Sequence, residues 1–322
     1  MTATPAERID WETLTEVDAE TIEEVVYSID GGETDWVDVR IKCVQPGPRG
    51  WKFESLIDAL VDHFHTYVLP PRVREETPAH RQFWEARRTA APNEDFESCG
   101  VVSEFLLYLF TEVYLDAPLA AHRLNELDSR NQEKKGSDGL FVGRHNGEEC
   151  LYVGEAKFYR SIASAIEDAF ESISEFHSRG VNDKTRREID LAATDFEDKL
   201  DSLSVSEIEA LSERLTPRGH ESYKKVHPLF LGHETARLDW YPNPGSDILT
   251  PGEDEPPMEQ QVRDELESSV DDIPYLERQR EKQSTLDSAC RPVELVLFPF
   301  PVPDTTEFKR LLYEGLFEPE NA

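Results

Sequence analysis

Gly136 to Lys157, GSDGLFVGRHNGEECLYVGEAK, is the segment from which the fold can be worked out. Two apolar runs flank Asn146-Gly147, and Asn-Gly in that setting is the strongest short-range signal for a two-residue type I′ hairpin. With those two residues as the loop, His145 faces Glu148 and partners are counted outward. Val142 then faces Leu151, Leu140 faces Val153, and Asp138 faces Glu155.

Side chains alternate along a strand, so one face carries Asp138, Leu140, Val142, Leu151, Val153, Glu155 and Lys157. The other carries Phe141, Cys150 and Tyr152. A hairpin apolar on both sides belongs inside a sheet with layers above and below it. Its register puts two carboxylates opposite each other at the end of a buried face, which is destabilising unless something compensates. A divalent cation would do so, with Lys157 assisting. The bland alternative, three charges fraying into solvent at a strand end, sits poorly with two apolar faces.

These residue types suit phosphodiester hydrolysis. Two carboxylates offer hard oxygen ligands to Mg²⁺, with Mn²⁺ as the alternative. Such an ion orients the scissile phosphate and activates water. Lys157 can hydrogen-bond a phosphate oxygen or the attacking water.

Outward from the hairpin, residues 22–43 read as two strands joined by the Gly31-Gly32 turn. Leu56 to Val68 and Ala79 to Arg88 read as helices separated by a Pro70-Pro71 breaker. Ser98 to Leu115 is a strongly apolar helix, and Ala120 to Leu127 reads as another. Ile162 to His177 is amphipathic, with Ile162, Ala165, Ile166, Ala169, Phe170 and Ile173 at core spacing. Further helices are expected over 186–200, 205–215 and 260–282, and an exposed mobile loop over 241–257. Val226 to Gly232 and Val293 to Phe298 read as buried strands, and Thr305 to Gly315 as a closing helix. The expected fold class is α/β, a mixed central sheet flanked by helices. Residues 1–95 would pack on a core formed by 96–322, the two making one continuous unit.

The chain carries 67 Asp+Glu against 34 Lys+Arg, a formal net charge of −33. DNA binding normally rests on a basic footprint, so this balance by itself argues against nucleic acid. Acidic, lysine-poor surfaces also suit multimolar salt, where repulsion is screened within about 3 Å. The charge therefore reads as a habitat signal of a halophile. An acidic interaction protein is the plainer alternative. Four cysteines lie far apart, without a CxxC pair, and imply neither disulfides nor a zinc knuckle. No apolar run reaches bilayer length and no secretory signal opens the chain, so a cytoplasmic protein is expected, with no membrane partner. There is no Walker A, no GxSxG and no HExxH. His63, His65, His227 and His233 are read as ordinary structural or surface histidines. Lys134 and Lys135, with Arg123 and Arg130, make a small basic patch before Asp138.

The pattern GSD-(x)16-EAK across a strand, tight turn and strand resembles the PD-(D/E)xK nuclease superfamily, whose fold is restriction-endonuclease-like. The resemblance makes Asp138 the first acid, Glu155 the second and Lys157 the lysine of a catalytic set. Ser137 stands at the usual proline position, a departure at a variable place. Such nucleases often carry a further acid on a preceding helix. Glu104, among apolar residues at helical spacing, fits it as a third metal ligand; its plain reading is a helix-start acid next to a Ser103 cap. Arg160 and Ser161, just after the second strand, could touch a phosphate.

More specifically, LYVGEAKFYRSIASAIEDAFESISEF, HPLFLGHE and VELVLFPFPVP resemble the HamA family, the nuclease subunits of the Hachiman anti-phage defence system. That resemblance implies a metal-dependent DNA nuclease working with a superfamily 2 DNA helicase of HamB type; with the acidic composition, the expected source is a halophilic archaeon. Two rivals stay open on the residues: a non-catalytic subunit that binds DNA or helicase, and an RNA-directed nuclease.

Overall fold

The computed structural model describes residues 9–34, 36–47, 50–90, 100–122, 137–178, 224–235, 278, 281–282 and 294–318. In chain order the elements open with α1 (Ala19–Val25), β1 (Val26–Glu33) and β2 (Val37–Val44), then β3 (Pro46–Gly47) and β4 (Gly50–Trp51). Helices α2 (Phe53–Val68), α3 (Pro71–Glu76), α4 (Ala79–Ala90) and α5 (Val101–Leu115) follow. Then come β5 (Leu119–His122), β6 (Gly139–His145), β7 (Glu148–Tyr159), α6 (Ile162–Ser178), β8 (Lys224–Glu234), β9 (Glu294–Val302) and a closing helix α7 (Thr305–Phe317).

Seven strands form one mixed sheet in the order β1-β2-β9-β8-β7-β6-β5. The inner strands β2, β9, β8 and β7 run parallel, and the antiparallel pairs sit toward the two edges. The fold is α/β, and the N-terminal strands belong to the same sheet as the hairpin. Helix α6 covers one face: Ala165, Ile166, Ala169, Phe170 and Ile173 are buried against Val37, Val39, Ile41, Leu229, Leu231, Leu295 and Leu297. On the other face α2, α5 and α7 pack over Phe141, Tyr152, Phe230, Phe298 and Phe300. Phe110 of α5 anchors that layer, with ring centroids 5.8 Å from Phe230, Phe298 and Phe300 alike.

Prolines in inner strands are unusual because they cannot donate to the ladder. Pro299 and Pro301 lie past the stretch where β9 pairs with β2, which covers only Leu295 to Leu297. Paired residues of β7 and β8 break off after Tyr152↔Val226 and resume at Glu155↔Leu229, so Pro228 falls in the gap. There His227 Nδ1 meets the Val153 carbonyl at 3.1 Å.

The structure departs from the sequence reading at four places. Residues 22–25 are helical: Asp18 caps α1 through the Glu20 N–H, and Ile22 and Val25 turn inward at helical spacing. Gly31-Gly32 is not the turn but a bulge inside β1, where pairing jumps from Asp30↔Arg40 to Glu33↔Asp38. Gly32 has φ of +92°, and a Cβ on Gly31 would fall 2.6 Å from Val39 Cγ1, so glycine is required. Leu119–His122 is an edge strand on β6 rather than a helix beginning at Ala120; pairing in the sheet overrides the local helix preference of Leu and Ala. The apolar helix starts at Val101, three residues later than expected. The segments 186–200, 205–215 and 241–257, most of 260–282, and the Lys134-Lys135 patch lie outside the described residues.

Glu112 ties α5 to two distant segments. It is 1% exposed, and its carboxylate accepts from the N–H groups of Glu16 at 2.7 Å, Val17 at 3.2 Å and Leu119 at 3.0 Å. A buried donor left unpaired costs about 1–3 kcal/mol. Glu112→Ala is therefore expected to lower unfolding free energy by about 3 kcal/mol or more, read from the denaturant midpoint. A shift within experimental error would show that the three N–H groups find other acceptors.

Candidate active site

Asn146 and Gly147 both take positive φ, 54° and 80°, the backbone that a type I′ turn demands. The ladder keeps the register set by that loop: His145↔Glu148, Val142↔Leu151, Leu140↔Val153, ending at Gly139↔Gly154. Regular pairing thus stops one position short of Asp138. The chain stays attached there through Asp138 N–H to the Gly154 carbonyl at 3.0 Å. Asp138 Oδ2 in turn accepts the Ala156 N–H at 2.8 Å. The carboxylate is thereby locked to the backbone of the strand that carries Glu155 and Lys157.

Asp138 and Glu155 are each 7% exposed. Lys157 Nζ donates to Glu155 Oε2 at 2.7 Å. Burial pulls the Lys157 ammonium toward the neutral form. The Glu155 and Asp138 carboxylates outweigh that and hold its pKa above the ordinary 10.5. Asp138, Glu155 and Lys157 therefore form one electrostatic unit. It sits on the sheet face covered by α6, since Glu155 and Lys157 pair with Leu229 and Leu231.

Glu104 is carried by a different element. It lies in the first turn of α5, is 7% exposed, and accepts from Tyr67 Oη at 3.4 Å. Helix α5 packs on the other sheet face, and its Leu107 sits where a Cβ on Gly154 would come within 2.9 Å of Leu107 Cδ2. Glu104 is one helical turn before that contact. Among the described residues no three or more His, Cys, Asp or Glu side chains form a group that could hold a metal ion. The structure thus brings Asp138, Glu155 and Lys157 together at the end of the hairpin, with Glu104 one helical turn from the place where α5 meets Gly154.

The two-carboxylate set still fits a hard divalent ion. Mg²⁺ keeps several waters and is usually held by one or two carboxylates together with substrate phosphates. Two buried carboxylates with a single neighbouring ammonium supply the electrostatic reason for a second cation.

Tyr159 does not stand out in the sequence, yet period-two alternation continues from Lys157 to it. Its hydroxyl donates to Asp168 of α6 at 2.5 Å, and that bond, with burial, raises its pKa. It is 39% exposed at the rim of the site. Arg160 and Ser161 are exposed in the connection to α6. The histidines behave structurally: His227 is fully buried, with its ring edge-on to Phe176, and burial pushes His233 down to about 4. Cys43 and Cys150 are buried thiols, Cys150 driven up to about 12 by burial.

The HamA family profile matches residues 20–316, a span that takes in the whole sheet and its helices. The chain belongs to the HamA family. Membership places it in anti-phage defence. No curated protein matches the chain. Among the described residues no helix is long and apolar enough to cross a membrane.

The ion pair makes a pH-dependent prediction. A lysine with a raised folded pKa stabilises the fold fully below its ordinary value of 10.5, and the contribution fades as pH rises through the raised value. Lys157→Met is expected to be less stable than the parent at neutral pH, with the gap closing above pH 10.5. Urea unfolding of both proteins across that range measures it, and a gap independent of pH would contradict the coupling.

Proposed function

We propose that this HamA family member is a metal-dependent DNA nuclease, the effector subunit of an anti-phage complex that also contains a superfamily 2 helicase. The observation that carries the reading is the buried Asp138 and Glu155 carboxylates with the Lys157 ammonium bonded to Glu155 and its pKa held up by both. A purely structural core would favour apolar residues there, because buried charges cost several kcal/mol each to desolvate.

In this proposal Asp138 and Glu155 hold Mg²⁺, or Mn²⁺, through their oxygens. A bound ion supplies Lewis acidity toward the phosphate and lowers the pKa of water. The Ala156 N–H fixes Asp138 Oδ2, so the carboxylate does not have to reorganise. Glu155 keeps Lys157 protonated and aimed, ready to donate to a non-bridging phosphate oxygen or to the attacking water. Glu104, bonded to Tyr67 at the start of α5, is proposed as the third metal-binding carboxylate. The strongly acidic surface suits a high-salt cytoplasm, where screening lets DNA approach. Helicase partnership is proposed from the family's defence role, as the restraint that a cytoplasmic nuclease requires.

Purified protein would be incubated with linear and supercoiled DNA in high KCl with Mg²⁺, Mn²⁺ or EDTA, with and without the helicase. Cleavage is expected with metal and not with EDTA. Asp138→Ala, Glu155→Ala and Lys157→Ala should each lower the rate by about 100-fold or more, the usual loss for one electrostatic stabiliser. Intact folding and DNA binding without cutting in any arm would replace the nuclease by a non-catalytic binding subunit. Cleavage of RNA alone would replace the substrate.

A further inference from the structure

Residues 71–90 carry five arginines against three glutamates, in a chain whose acids outnumber its bases about two to one. The contrast sharpens on α4. Its exposed residues are Ala79, His80, Arg81, Trp84, Arg88 and Thr89, and none is acidic. Glu85, the acid of the helix, is only partly exposed and is paired with Arg88. Arg81, Trp84 and Arg88 fall three and four residues apart, so they line one face of the helix.

Trp84 is 52% exposed, the most exposed large hydrophobic side chain among the described residues. It is nevertheless held. Phe83 meets it edge-on, with ring centroids 5.5 Å apart, and the Arg87 guanidinium lies 5.4 Å from its ring. Arg87 is itself anchored on the Phe317 carbonyl of α7. Phe83 packs into the core against Phe64 of α2. An indole fixed from below and flanked by guanidiniums is a preformed stacking platform for a base, with phosphates on either side. Solvent exposure of that much tryptophan gains nothing for folding, and the charged groups exposed on α4 itself, Arg81 and Arg88, are both basic.

We propose that the α4 face built by Arg81, Trp84 and Arg88 binds single-stranded nucleic acid, with Trp84 stacking a base and the two arginines contacting flanking phosphates. It deepens the nuclease reading, on which it rests, giving the substrate a second anchor away from Asp138, Glu155 and Lys157. It also gives a chain of net charge −33 a local attraction for a polyanion, in the exposed Arg81 and Arg88.

The test measures binding separately from cutting. Fluorescence anisotropy of labelled oligothymidine, and of a matched duplex, is recorded in EDTA over a series of KCl concentrations. Trp84→Ala should weaken single-strand binding by roughly 5- to 100-fold, the range for one base stack removed, while Trp84→Phe retains most of the affinity. Arg81→Gln with Arg88→Gln should reduce the salt slope by about 0.7 for each phosphate that the arginines no longer neutralise. These side chains are exposed, so unchanged circular dichroism is expected in all variants. Wild-type affinity in Trp84→Ala and in the double arginine variant would overturn the platform, as would loss of helicase association alone with DNA affinity intact. If binding depends on Trp84 but wild-type protein never cuts DNA, the platform stands and the nuclease reading fails. If the protein cuts and Trp84 is irrelevant to binding, the reverse holds.

Discussion

The register of one hairpin governs the rest of the structure. Side chains alternate with a period of two, so a slip of one residue between β6 and β7 would send every side chain to the opposite face. Asn146 and Gly147 prevent that slip by taking the two positive φ angles that a two-residue loop needs. The consequence travels along both strands. Leu140, Val142, Leu151 and Val153 are buried on one side, Phe141, Cys150 and Tyr152 on the other. At the far end the same register delivers Asp138 beside Ala156 and Glu155 beside Lys157.

Around that hairpin the packing removes alternatives. Gly139 and Gly154 are paired, and a Cβ on Gly154 would meet Leu107, Phe141 and the Gly139 carbonyl within 3.3 Å. Gly154 thus lets α5 lie close over the hairpin. The neighbouring strand β8 adds its own irregularity: Pro228 has no N–H to give, and His227 turns its ring to the Val153 carbonyl. Glu155 resumes the pairing immediately after this gap. A strand interrupted just before the charged pair has its backbone held by side chains, which suits a site needing fixed geometry.

Elsewhere buried charges serve architecture. Glu112 collects three N–H groups and fastens the N-terminal segment to α5 and β5. Lys42 is buried over the Tyr114 ring at 3.2 Å, and burial lowers its pKa to about 7. By contrast, Lys157 is raised because two carboxylates outweigh its burial. Lys157 is hydrogen-bonded to one of its carboxylates, whereas the Arg40 charge adds to the burial of Lys42, and only Lys157 belongs to a site expected to meet phosphate.

Much of this was legible in the amino-acid order. Period-two alternation around Asn-Gly sufficed to locate the hairpin, its two buried faces and the union of Asp138, Glu155 and Lys157, because those contacts are local. The apolar stripe of α6 and the buried strands β8 and β9 were legible for the same reason: their hydrophobic period is a property of the segment itself. The order of the strands and the side of the sheet on which each helix lies were decided only in the tertiary structure. So was the fate of Leu119–His122, a strand because β6 offered it an edge, and of Gly31-Gly32, a bulge because Val39 crowds it. Glu104 shows the limit most plainly. Helical spacing places it on a buried face of α5, but which carboxylates it can reach depends on how α5 crosses the sheet. That crossing is set by long-range packing of Phe110 and Leu107, which no local pattern encodes.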